Sequence, residues 1–343
     1  MKDPISLSGA PGSPYTRKML AVLRYRRIPY RFLPPSGPAL AGLPQPKVSL
    51  LPTFYLPDEN GQLHAVTDST PIIRRLEREH DGRSLIPADL ALAFLDELIE
   101  DYADEWLTKA MFHYRWSYAP DIAKAAAMLP CWRGFCIPDE ELAERGRLVA
   151  ERQIGRLRYV GSNAATGPVI EASYRRFLER FEDHLRGQPY LLGRRPAACD
   201  FAVFGQLTQL AEFDPTPMAL TLQVAPRVTA WVGMMEDQSG LEPGEGDWID
   251  PAAPPPTLKP LLAEMGRTYV PLMLANAAAV MSGAEEVSAE VDGQAWSQQL
   301  FPYQAKCLVW LRQAHAALQG SARQAADDLL AQTGCEALFD SGA

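Results

Sequence analysis

Residues 5–8, Ile-Ser-Leu-Ser, alternate apolar and polar positions, the two-residue period of a half-buried strand. Gly9-Ala10-Pro11-Gly12 then breaks the pattern with turn residues. Beyond it the period becomes helical: Met19, Val22 and Leu23 recur at helical spacing up to Arg27, behind Ser13 as N-cap and Pro14 at the first helical position. Tyr30 to Leu33 reads as a second strand and completes a βαβ unit. The stretch Pro34 to Pro46 is too rich in proline for regular helix and predicts an irregular connection. Thr53 to Leu56 and Leu63 to Val66 are short strands around Asp58-Glu59-Asn60-Gly61, where Asn-Gly accepts the positive φ of a hairpin turn. Asp68-Ser69-Thr70-Pro71 opens another helix, with Ile72, Ile73 and Leu76 on one face. The order β-α-β, loop, β-β-α, with Leu51-Pro52 immediately before the third strand, predicts a thioredoxin-like domain over residues 1–84.

From Pro87 onward the period is helical almost throughout. Candidate helices are Ala88 to Tyr118, Asp139 to Val160, Val169 to Arg186, Asp200 to Glu212 and Pro226 to Glu236, so residues 85–241 form an all-helical domain. Glu242 to Pro256 is rich in Pro, Gly and acidic residues and reads as a linker. Residues 242–343 are thus linker plus a mainly helical extension, with helices at Leu258 to Met281 and Pro302 to Leu318. Two short strands are expected within Glu286 to Trp296, around Asp292-Gly293. The fold class is α+β, and 343 residues exceed what one core usually organises.

Composition narrows the function classes. No apolar run approaches the ~18 to 20 residues of a membrane helix, and the opening MKDPISLSG lacks the apolar region of a secretory signal, so a cytoplasmic protein with no membrane span is expected. A net charge of -9 without a Lys/Arg run disfavours nucleic acid. Arg24, Arg26 and Arg27 come nearest to a basic patch, and they fit better as cations at a helix C-terminus. The five cysteines are scattered without a CxxC, and the five histidines are dispersed, so reduced thiols and no metal are expected. Cys131 and Cys136 read as small apolar fillers in preference to a redox pair.

Five landmarks in order resemble the glutathione S-transferase family over about residues 5 to 237. They are Ser13-Pro14-Tyr15-Thr16-Arg17-Lys18, Leu51-Pro52, Asp68-Ser69, Tyr190-Leu191-Leu192-Gly193 and Ala198-Cys199-Asp200-Phe201-Ala202. One position departs: the family usually has Ser or Thr where Ala197 stands, so the capping box of that helix is half missing. The resemblance implies glutathione as co-substrate, a small electrophilic partner, a homodimer and a detoxifying role. Leu51 would pair its backbone with the cysteinyl unit, and Pro52 would be cis. Asp68 and Ser69 would receive the γ-glutamyl end, and Lys47 the glycyl carboxylate.

Glutathione must be held as a thiolate to attack an electrophile, and its free thiol, with a pKa near ~8.5, needs donors and positive potential beside sulfur. Ser13 offers a hydroxyl at a helix N-terminus, where N–H groups and dipole favour an anion, and Arg17 adds positive charge. Ser13 is equally able to act as a helix cap alone. With Ser13 and Thr16 at the positions where thioredoxins carry cysteines, a dithiol mechanism has no sulfur. By the same resemblance the electrophile site is lined by the long first helix of the second domain, where Tyr114, Arg115 and Trp116 lie in an aromatic stretch that suits an apolar or aromatic electrophile, with Tyr15 beside Ser13 as a further candidate and Asp101, Asp104 and Glu105 making the cleft more acidic. The alternative is a non-catalytic binding or assembly protein on the same fold, favoured by Ala197, the irregular 34–46 region and the extension. That extension, with Phe301 to Cys307 leading a helix, would be a lid, a dimer surface or a cover for an apolar face.

Overall fold

The computed structural model describes residues 3–340. Strand β1 (Ile5–Ser8) pairs in parallel with β2 (Tyr30–Leu33) and antiparallel with β3 (Thr53–Pro57), which pairs antiparallel with β4 (Leu63–Val66). The sheet order is β2-β1-β3-β4. Helix α1 (Pro14–Tyr25) is the crossover between the two parallel strands, and α2 (Ser69–Glu79) follows β4. Leu7, Met19, Val22, Phe54, Ile72 and Leu76 fill the space between sheet and helices. Residues 34–46 are irregular apart from a short turn of 3-10 helix at Pro38–Leu40.

The helical part begins with α3 (Leu90–Tyr102), which runs through a π-helical segment (Ala103–Leu107) into α4 (Thr108–Ser117). The periodicity predicts one uninterrupted helix there; the widened turn lies where Asp104 and Glu105 must both face inward. After α5 (Ala119–Cys131), α6 (Asp139–Ile154) and α7 (Gly167–His184) come α8 (Ala198–Leu207), α9 (Pro215–Val224) and α10 (Pro226–Met235). Helix α5 escapes the pattern because its alanines give little polar contrast and Pro130 lies inside it, and α9 because it carries Pro215 and Pro217 in a nearly all-apolar stretch.

Helix α8 packs across α1. Gly205 permits the crossing, since a Cβ there would sit 2.6 Å from the Pro14 carbonyl oxygen. The N-terminus of α8 is satisfied despite Ala197. Asp200 accepts the Ala197 and Leu191 N–H groups, both at 2.9 Å, and Asp96 of α3 accepts the Cys199 N–H at 2.7 Å, an orphan donor that a Ser or Thr cap could have taken.

The extension consists of α11 (Leu258–Ser282), the hairpin β5 (Glu286–Val291) and β6 (Gln294–Gln299), α12 (Pro302–Ala317) and α13 (Gly320–Leu330). Helix α11 packs on α7, while α12 and α13 cover α3. Val287, Val291, Trp296, Leu308 and Leu311 bury themselves in the same core as the helical part. The extension therefore covers an apolar face, as one of its three sequence readings expected. No helix among the described residues is long and apolar enough to cross a membrane.

Candidate active site

Ser13 stands at the N-terminus of α1 with extended backbone. Its Oγ accepts the Thr16 N–H and donates to the Leu51 carbonyl, both at 3.2 Å. The Leu51–Pro52 peptide bond is cis. The loop before Ser13 is pinned from the helical side: Arg115 donates to the Gly12 carbonyl at 2.9 Å and Gln209 to the Pro11 carbonyl at 3.1 Å.

Ser13, Gly12 and Leu51 form one wall of a cleft of about 520 Å3. The facing wall is α5 and α6, with Leu129, Trp132, Leu148 and Val149 as its apolar surface and Arg133, Arg145 and Arg152 around it. Beneath these helices lies a small separate core of Trp116, Ala125, Ala150 and Phe213. Gly12 is required at this narrow point, because a Cβ would fall 2.4 Å from the Trp132 ring.

The opposite end of the expected glutathione site is differently made. Asp68 has φ 85 and ψ 110, unusual for a residue with a side chain, and its carboxylate accepts the Tyr303 hydroxyl of α12 at 2.6 Å. Ser69, the next residue, accepts from the buried ammonium of Lys18 at 3.1 Å. Lys18 also donates to Glu100 at 2.8 Å and Asp104 at 2.7 Å. Burial disfavours the Lys18 charge, but Asp104 and Glu100 together outweigh it and raise its pKa. Burial likewise pushes Asp104 up to about 6, with Lys18 opposing, and Glu105 up to about 8 with help from Asp101. These acids face the extension and α1 and do not line the cleft, contrary to the sequence expectation. Tyr269 of α11 donates to Asp101 at 2.5 Å, and Gln304 of α12 donates to the Glu105 carbonyl oxygen.

The remaining sequence candidates lie elsewhere. Arg17 pairs with Glu236 at 2.5 Å, away from Ser13. Lys47 is exposed on the irregular loop. Tyr15 donates its hydroxyl to the Asp104 carbonyl at 2.9 Å, and burial raises its pKa. Tyr114 stacks on Tyr118 at 5.7 Å, Trp116 belongs to the small core, and Arg115 is tied to Asp214 by paired bonds of 2.9–3.0 Å. None of these four lines the cleft. Arg24 and Arg27 pair with Glu236 and Glu242, and buried Arg26 with Glu77. Cys131 is half-buried and Cys136 exposed, both as free thiols, so neither is a core filler.

Lys18, Tyr303 and the three arginines were not singled out by the sequence reading. For the arginines a signal existed: Arg145, Leu148, Val149 and Arg152 follow i, i+3, i+4, i+7 spacing.

Residues 7–84 match the family model for the glutathione S-transferase N-terminal domain, and residues 141–233 that for the C-terminal domain. No curated protein matches the chain. Similar solved structures include a glutathione transferase family member from Pseudomonas fluorescens with two glutathione bound, at 17% identity and TM-score 0.39, covering 67% of this chain and 87% of that one. A glutathione S-transferase from Methylobacterium radiotolerans in complex with glutathione sulfonate is 17% identical with TM-score 0.41, covering 68% and 91%. FzlA from C. crescentus is 15% identical with TM-score 0.42, covering 76% and 92%. With both domain models matched in order on a thioredoxin-like sheet followed by helices, the chain belongs to the glutathione S-transferase family.

Proposed function

We propose that this protein is a glutathione-dependent transferase in which Ser13 stabilises the glutathione thiolate for attack on an electrophile held in the cleft. The observation that carries this reading is the position of Ser13: a hydroxyl at the N-terminus of α1, opening onto a cleft whose lining includes three arginines and no carboxylate. Helix dipole, hydroxyl and cations all favour a thiolate there. The cysteinyl backbone would pair with Leu51 ahead of Pro52, and the γ-glutamyl end would reach Asp68 and Ser69. The thiolate sulfur bonds to an electrophilic carbon, and a leaving group departs with its electron pair. Family membership supports glutathione as the thiol; a cytoplasmic location, a homodimer and a detoxifying role belong to this proposal through the family alone.

A second reading, a non-catalytic binding or assembly protein, draws on the contacts already made by Asp68 and Ser69. Calorimetric titration with reduced glutathione, with S-methylglutathione in parallel, separates the two. The transferase reading expects saturable binding with a Kd at or below about a millimolar. No heat and no thermal stabilisation at several times that concentration overturns it in favour of the second.

A further inference from the structure

We infer that Arg115 is a positioning residue of the proposed transferase site: from below the cleft its guanidinium holds both walls and so fixes where a glutathione sulfur sits against Ser13. This rests on reading the cleft as that site. The loop ahead of Ser13 is Gly9-Ala10-Pro11-Gly12, which has no polar side chain to anchor it. Its last two carbonyls are gripped by the helical part instead. Arg115 donates to the Gly12 carbonyl at 2.9 Å, and Gln209, which accepts from Arg115 at 2.7 Å, donates to the Pro11 carbonyl at 3.1 Å. Gln209 and Phe213 come from a π-helical segment (Thr208–Phe213) between α8 and α9, and Asp214 follows at once. The Asp214 carboxylate takes Nε and Nη2 of Arg115 at 2.9–3.0 Å, so the buried charge is already compensated and the bond to Gly12 is additional to what burial requires. The other wall rests on the same group. The Phe213 ring lies 4.9 Å from the guanidinium carbon and 5.5 Å from the Trp132 ring, and Trp132 is the cleft residue that leaves no room for a Cβ on Gly12. Guanidinium, Phe213, Trp132 and Gly12 thus close a ring of contacts, and one buried side chain sets the gap between the Ser13 loop and the apolar wall. A lysine carries the charge but lacks the fork that reaches a carboxylate, an amide and a carbonyl in fixed directions. Hydrogen bonds to an anion weaken steeply with distance and angle, so a residue that touches no substrate can govern the thiolate.

The test compares wild type with Arg115→Lys, with Gln209→Met, which keeps the Arg115–Asp214 pair while releasing the Pro11 carbonyl, and with Arg176→Lys. The last loosens another ion pair, Arg176 with Glu264 between α7 and α11, away from the cleft. Two quantities are read on the folded proteins: the glutathione Kd by calorimetry, and the pKa of the bound thiol from the ultraviolet absorbance of its thiolate across pH. Wild type should hold the bound thiol below its free pKa. Arg115→Lys and Gln209→Met should leave about tenfold less thiolate at any pH below the wild-type pKa. Their glutathione Kd, measured where the thiol is protonated, should stay within about threefold, because the tripeptide backbone keeps its own partners. Arg176→Lys should match wild type. An unchanged thiol pKa in folded Arg115→Lys overturns the positioning role and leaves the transferase reading standing. An equal rise in Arg176→Lys also overturns it, because loosened packing in general then explains the effect. If Arg115→Lys fails to fold, Gln209→Met decides by the same criterion. A wild type that binds no glutathione, or holds its thiol at the free value, overturns the transferase reading and the positioning role with it.

Discussion

The two ends of the proposed glutathione site teach opposite lessons. At the Ser13 end, a hydroxyl bonded to the Leu51 carbonyl and the Thr16 N–H, both at 3.2 Å, borders the cleft together with Leu51 ahead of the cis proline, and the opposing wall carries arginines. At the Asp68 end every polar group with a role to play is already held: Asp68 by Tyr303, Ser69 by Lys18, and Thr70 by donation to Glu100 at 3.0 Å. The open end is built from the thioredoxin-like sheet and the first helices of the helical part. The closed end is completed by the extension, which supplies Tyr303. Family matches span residues 7–84 and 141–233, so the element that closes the site lies outside them. Under the proposed reading, the thiol-facing half lies at the N-terminus of α1 within the matched residues, while the γ-glutamyl half also depends on an element outside them.

The largest expected effect lies at the open end. Replacing Ser13 by alanine should lower the glutathione transfer rate by about 100-fold or more, the usual consequence of losing one donor to a developing or stabilised anion. It also removes the α1 cap, at about 0.5 to 2 kcal/mol of stability. Ser13→Thr keeps hydroxyl and cap and separates the two losses. Equal rates in wild type and Ser13→Ala would show that the hydroxyl serves only the helix and Leu51.

A smaller effect belongs to the closed end. Tyr303→Phe removes the hydroxyl that occupies the Asp68 carboxylate while keeping the ring, which lies 6.2 Å from Trp310. If Tyr303 competes with the γ-glutamyl ammonium, the variant should bind glutathione about three- to tenfold more tightly, within the range of one hydrogen bond to a charged group. Weaker binding in calorimetry would instead make Tyr303 part of the subsite, and an unchanged Kd would remove Asp68 from it.

Local chemistry was easy to read from the sequence where it was also the final arrangement. The Asn60-Gly61 turn, the cap at Ser13 and the proline before β3 each act within a few residues, and the sheet follows from them. Side chains that act at a distance were not legible. Arg115 looks like a donor beside an aromatic stretch, yet its guanidinium is consumed by Asp214, 99 positions away in sequence. Asp101, Asp104 and Glu105 looked like a surplus of acid in a cleft. Their meaning depends on Lys18, Tyr269 and α12, which no local pattern joins to them. Likewise Ala197 looked like a lost cap until Asp96, brought over by the packing of α3 on α8, filled the place.

The smallest expected effect uses pH to act on the closed end alone. Asp101 lies between α3 and the extension, facing the Tyr269 hydroxyl, Cys307 and the neighbouring acids Glu100, Asp104 and Glu105. Burial pushes it up to about 7, with the Tyr269 hydrogen bond opposing and Asp104 adding to the rise. The unfolded chain would release that proton near ~3.9. Between those values the folded protein holds more protons, so this contribution to stability is complete below about pH 4 and is lost as pH rises through about 7. Glu105 acts in the same direction up to about 8; Lys109, lowered by burial to about 8, acts oppositely only above that value. Hydrogen exchange of α11 and α12, corrected for intrinsic rates, should therefore rise from pH 5 to pH 8 by an amount on the order of 1 kcal/mol in opening free energy. Exchange in α6, which packs on α5 across the cleft from these acids, should change less. Asp101→Asn should reduce the slope to the part that Glu105 contributes. If exchange in α11 and α12 were level with pH in the wild type, or if the slope were undiminished in Asp101→Asn, the carboxylate would not govern the docking of the extension. The closed end would then owe its closure to the apolar contacts of Leu308, Leu311 and their neighbours.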